Sequence, residues 1–104
     1  MSQGKTIFFP YKHKWLADII KEDTPEHARE SVRELKKIFE RSNRTKRRLI
    51  LQAANLAANR AKVMANRHKK PGEKGYISPK EREEFREIEK IYRNFVEWCS
   101  RRLR

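Results

Sequence analysis

The sequence predicts an all-α fold, a small antiparallel bundle of three longer helices with a short N-terminal helix in front of them. Apolar residues recur three and four apart through most of the chain, which is the period of one helical face. Helix-start signals stand at Thr24-Pro25, Ser42-Asn43 and Ser78-Pro79. Outside the first ten residues no stretch reads as a strand.

Residues 1–10 read as an arm in which Lys5 to Phe9 form a short strand or an extended segment, ended by Pro10. A short helix is expected over 11–21, where Trp15, Leu16, Ile19 and Ile20 share a face, and Glu22-Asp23 break it. Thr24 as N-cap and Pro25 at the first helical position open the next helix, 25–41. Ala28, Val32, Leu35 and Phe39 form its stripe and Ile38 widens it. Glu26 and Glu30 near its start and Lys36, Lys37 and Arg41 near its end suit the macrodipole.

Ser42-Asn43 interrupts the pattern and precedes the longest segment, 44–68, about 37 Å if helical throughout. Its apolar residues cover more than one stripe, so it is expected to be the central helix. Ala53, Ala57 and Ala61 lie four apart and allow a neighbour to approach closely. Residues 69–78, with Pro71, Gly72 and Gly75, form a basic loop. Ser78-Pro79-Lys80-Glu81 is a capping box for the last helix, 79–100. Phe85, Ile88, Tyr92, Phe95 and Cys99 form its seam, broadened by Ile91 and Trp98. Trp15, Leu35, Phe39, Leu56, Phe85, Ile88, Tyr92 and Phe95 are expected in one core, with about 70% of the residues helical, a fraction that follows from these periodicities.

The 104 residues suffice for one domain with a modest core. Lys+Arg number 27 against 14 Asp+Glu, a net charge of +13. Like charges repel in the compact state, so an excess of this size implies a negatively charged partner. Many Glu, Lys and Arg with few glutamines also fit a thermophile-like surface, but such surfaces mix both signs and do not require this surplus. No run approaches the roughly 20 apolar residues of a membrane span, so no membrane partner is expected. Residues 1–10 lack the long apolar stretch of a signal peptide. Cys99 is the single cysteine and forms no intramolecular disulfide, which fits a reducing, cytoplasmic setting.

Arg44, Lys46, Arg47 and Arg48 open the long helix. Cations at a helix start oppose the dipole and cost a few tenths of a kcal/mol each, about 0.3 or more. The same position offers free backbone N–H groups and capping hydroxyls at Ser42 and Thr45, the elements of a phosphate site. Antiparallel neighbours bring Lys36, Lys37 and Arg41 to the same end, together with Arg101, Arg102 and Arg104, against Glu40 and Glu97. The expected nucleic-acid contacts are therefore Arg41, Arg44, Lys46, Arg47, Arg48, Arg101, Arg102 and Arg104. Replacing Arg47 and Arg48 with Ala is expected to weaken binding while stability holds or rises slightly.

Secondary contacts are expected from Asn55, Asn59 and Lys62, which share a helix face with Asn66, and from Arg67, Lys69 and Lys70 at the loop. Asn can read adenine edges in a major groove. An alternative reading makes that face a solvated helix back and the loop, with His68, Lys74 and Tyr76, an ordinary exposed connection. At the N-terminus Phe8, Phe9, Tyr11 and Trp15 alternate with Lys5, Lys12, His13 and Lys14, a stacking platform for single-stranded bases if exposed. Aromatics in a small helical domain more often serve the core.

The Ser42–Thr45 turn would suit a helix-turn-helix, but a recognition helix this long and apolar would be unusual. Sequence-independent contact with the phosphates of DNA or RNA is the expected mechanism. No enzyme, metal or cofactor is expected: His13, His27 and His68 lack ligand spacing, and Cys99 lies on an apolar seam. The rival reading is a helical protein–protein adaptor, completed as a homodimer or as a subunit of a larger ribonucleoprotein complex.

Overall fold

The computed structural model describes residues 13–67 and 70–103. The proposed arm, the first residues of the expected 11–21 helix, His68, Lys69 and Arg104 lie outside them. The described residues are 78% helix and contain no strand. Four helices follow in order: α1 (Lys14–Ile19), α2 (Pro25–Glu40), α3 (Arg44–Ala65) and α4 (Pro79–Leu103).

Each longer helix starts where its sequence signal stands. The Thr24 hydroxyl accepts from the His27 N–H at 3.1 Å. The Asn43 side chain accepts from the Lys46 N–H at 2.9 Å, so Asn43 is the cap. Ser42 instead turns back and donates to the Ile38 carbonyl at 2.6 Å. The capping box closes in both directions: Glu81 N–H donates to Ser78 Oγ (3.2 Å), and Ser78 N–H donates to Glu81 Oε1 (2.9 Å). The helix ends differ more from expectation. α1 stops at Ile19, α3 stops three residues earlier than expected and α4 runs three residues further.

The central element is α4, not α3. It packs along α3 and, on another side, along α2, while α2 and α3 touch little. The reason lies in side-chain size. The inner face of α3 is alanine: Ala53, Ala54, Ala57, Ala58, Ala61 and Ala65 are all buried. Their short side chains let α4 come close, and the large residues of α4 fill the space, with Ile88, Tyr92, Phe95 and Cys99 buried. On α2, Ala28, Leu35 and Phe39 complete the core. Trp15 and Phe85 are partly buried against it, but Leu56 is only half-buried and lies outside it, a departure from the expected core.

α1 closes the opening between α2 and α3. Leu16 and Ile20 enter the core. The Tyr92 hydroxyl of α4 donates to the Lys21 carbonyl at 2.7 Å. Buried Ser31 of α2 accepts from the Lys21 N–H at 2.9 Å and reaches the Ile19 carbonyl at 2.8 Å. On the α3 side, Glu22 pairs with Arg60 at 3.2 Å, both largely buried. The molecule measures 47 × 32 × 21 Å, with a radius of gyration of 14.6 Å. A sphere-like domain of this length would have about 13 Å, so it is elongated and flat, as expected when α2 and α3 barely meet.

The loop between α3 and α4 is shaped by two glycines with positive φ, Gly72 (92°) and Gly75 (88°). A Cβ on Gly75 would stand 2.9 Å from Arg67 Nη1, which donates to the Gly75 carbonyl. The loop and the end of α3 are thus tied by Arg67.

Candidate functional site

The first turn of α3 meets the last turns of α2 and α4. Arg44 Nη2 donates to the Leu103 carbonyl at 3.0 Å. Arg47 donates from Nε to the Phe39 carbonyl at 2.8 Å and from Nη2 to the Glu40 carbonyl at 3.2 Å. Its guanidinium carbon also sits 4.8 Å from the centre of the Phe39 ring. At the far end of the molecule the same device recurs, as Arg82 in the first turn of α4 donates to the Ala65 carbonyl at the end of α3.

Each longer helix therefore ends on carbonyls capped by an arginine from the first turn of another helix. The last carbonyls of a helix have no partner within it and carry about half a negative charge. An arginine supplied from outside satisfies both needs. This corrects the expectation that the cations of α3 are misplaced. They oppose the dipole of their own helix, but Arg44 and Arg47 lie against the negative ends of two others. The expectation that losing Arg47 spares stability took no account of these bonds to the end of α2.

The remaining cations of this end are held to different degrees. Arg102 donates to the Trp98 carbonyl at 3.2 Å, with its guanidinium carbon 3.8 Å from the Trp98 ring centre. Lys36 lies 5.2 Å from the same ring. Trp98 in turn meets Phe39 edge-on (5.2 Å) and Phe95 face-on (5.7 Å). The Lys46 ammonium stands 4.8 Å from the Trp15 ring. Arg101 pairs with Glu97 at 3.3 Å, an exposed bridge that solvent weakens. Lys37, Arg41 and Arg48 are exposed and form no ion pair among the described residues. Glu40 and Glu97 are the acids on these same turns. Arg44, Arg47, Arg102 and Leu103 line a small cleft of about 220 Å³.

The secondary candidates are dispersed. Arg93 of α4 donates to Asn55 Oδ1 (3.1 Å) and Asn59 Oδ1 (2.9 Å), and bonds Glu89 as well. The two asparagines thus join α3 to α4, and their amide oxygens are already engaged. Lys62 and Lys70 are exposed. Arg67 braces the loop. Lys69 and Arg104 lie outside the described residues.

Buried titratable groups lie elsewhere. Burial pushes the Tyr92 hydroxyl up to about 12, although the Ser31 and Lys21 bonds act against the shift. Burial likewise pushes the Cys99 thiol up to about 12, against the pull of Arg102 and Lys36. Cys99 is inert at neutral pH, as only the thiolate reacts. Among the described residues no three His, Cys, Asp or Glu side chains come together to hold a metal ion. No helix among the described residues is long and apolar enough to cross a membrane.

The interhelix arginine caps were not foreseen from sequence. The signal existed: an arginine in a helix first turn, where the dipole disfavours it, is a candidate cap for some other helix. The class defined here is an all-helical fold, with four helices among the described residues and a basic end. Compared with known protein families, characterised proteins and solved structures, the chain matches none.

Proposed function

We propose that this is a small, basic, non-enzymatic nucleic-acid-binding protein. It is built as an antiparallel bundle and contacts the phosphate backbone of DNA or RNA largely without regard to sequence. One observation carries this reading. Two helix ends and one helix start gather Lys36, Lys37, Arg41, Arg44, Lys46, Arg47, Arg48, Arg101 and Arg102 at one end of the molecule, against Glu40 and Glu97. Aligned helix ends and ring contacts account for Arg44, Arg47, Arg102, Lys36 and Lys46 in part. The dipole of α2 favours the exposed Lys37 and Arg41 at its own end, but nothing of the kind favours the exposed Arg48 at the start of α3, and a polyanion would relieve the repulsion among the cations gathered here.

The test compares two double variants in binding to random-sequence duplex and single-stranded DNA and RNA. Arg41→Ala with Arg48→Ala removes exposed cations of the basic end and leaves in place the backbone N–H by which Arg41 caps α2. Lys70→Ala with Lys74→Ala removes the same charge from the loop. The first pair should weaken binding to all sequences alike, by about tenfold near physiological salt, as each phosphate contact adds an increment of counterion release. The loop pair should matter less. Loss of binding only in the loop pair would move the interface to the opposite end. If neither pair matters, the helical-adaptor reading replaces this one.

A further inference from the structure

We propose that the cleft lined by Arg44, Arg47 and Arg102 is a discrete receptor for one terminal phosphate group, the phosphorylated end of a nucleic-acid strand. This rests on the nucleic-acid reading and sharpens it from a diffuse charged surface to one pocket.

Three guanidinium groups line the cleft with Leu103, and among the described residues no Asp or Glu side chain does. Like charges so placed repel, and the carbonyl ends of α2 and α4 offset that only in part, since each carries about half a charge. An anion in the cleft supplies the rest. The groups are also held in place beforehand. Arg44 is fixed to the Leu103 carbonyl, Arg47 to the Phe39 and Glu40 carbonyls, and Arg102 to the Trp98 carbonyl with its guanidinium over the ring. A guanidinium has five N–H donors, so each has donors left after these bonds. Side chains already ordered lose less entropy on meeting a ligand.

The chemistry favours a strand end over an internal phosphodiester. A phosphomonoester carries about −1.5 to −2 charges at neutral pH and three acceptor oxygens. A diester carries one charge, and both its ester links must leave the site. Three guanidinium forks answer three terminal oxygens, the geometry in which Arg surpasses Lys.

The experiment measures binding of the full chain to oligonucleotides of one sequence, with a 5′ phosphate, a 3′ phosphate or hydroxyl ends. A phosphorylated end should bind about tenfold more tightly, the value of one charge-assisted interaction. That advantage should shrink at pH 5, below the monoester's second ionisation near 6. Arg44→Gln and Arg102→Gln should each remove the advantage. Arg48→Gln, outside the cleft, should weaken all three oligonucleotides alike and preserve their ratio. Should the Gln variants unfold, Arg44→Lys and Arg102→Lys keep the charge, lose the fork and should still reduce the advantage. Equal binding of all three oligonucleotides, with salt dependence intact, would overturn the pocket and leave the proposed function standing. If no oligonucleotide binds, inorganic phosphate is titrated while the arginine side-chain N–H resonances are followed. Saturable shifts confined to Arg44, Arg47 and Arg102 would then support the pocket without the nucleic-acid function, and their absence would reject both.

Discussion

Arg47 and Arg48 are neighbours in sequence, yet their removal should have different effects. Arg47 holds two terminal carbonyls of α2 and covers the Phe39 ring. Arg47→Ala should cost about 1–2 kcal/mol of stability, the net worth of its hydrogen bonds plus a cation–π contact. Arg48→Ala should change it by less than about 0.5 kcal/mol, as for an exposed substitution. Urea unfolding of the two variants separates them, and equal midpoints would remove Arg47 from its capping role. The two buried acids make a second residue-scale prediction. Tyr92 and Cys99 ionise near 12 in the folded chain, above their ordinary values of 10.0 and 9.0. A folded pKa raised above the unfolded one means that the folded state holds its proton longer. Stability from these groups is therefore complete below about pH 9 and is lost as pH rises from 9 towards 12. Unfolding measured from pH 8 to 11 should show the decline begin near 9. Tyr92→Phe should flatten the portion above 10, and an unchanged slope would contradict the assignment.

At the scale of elements, the alanine face of α3 decides how the helices pair. Ala57 is fully buried against the large residues of its neighbours. Ala57→Leu should destabilise by about 1–3 kcal/mol through overpacking. A neutral result in thermal unfolding would mean that α3 and α4 are less closely apposed than described. Much at this scale was legible in the sequence. Thr24-Pro25, Asn43 and the Ser78–Glu81 box set the helix starts because caps depend on neighbours in the chain. The alanines four apart announced a close approach. The sequence did not disclose which helix was central, since apolar breadth on α3 reflects alanines facing one partner and not several partners. Leu56 was placed in the core for the same reason. The role of Arg47 was hidden because the dipole rule was applied within one helix, whereas the carbonyls that Arg47 serves belong to another.

For the whole molecule, the distribution of charge matters more than its sum. Along α4 the acids are concentrated before Arg101 and Arg102, where Glu87 meets Arg29, Glu83 meets Arg86, and Glu89 meets Arg93. These pairs neutralise the middle and the α4 start, and leave the opposite end basic. Of the expected site, the convergence of Arg44, Arg47 and Arg102 was legible from helix order alone, while Asn55 and Asn59 were read as outward-facing because Arg93 lies far away in sequence. The most direct test of the basic end is the salt dependence of binding to random duplex and single-stranded oligonucleotides. With about four phosphates neutralised, log affinity should fall against log salt with a slope of about −3 to −4, from roughly 0.9 per contact on duplex and 0.7 on single strands. Arg41→Ala with Arg48→Ala should flatten the duplex slope by nearly two units, that is about 0.9 for each lost contact. Binding insensitive to salt, or a slope unmoved by that pair, would contradict a polyanion partner at this end of the molecule.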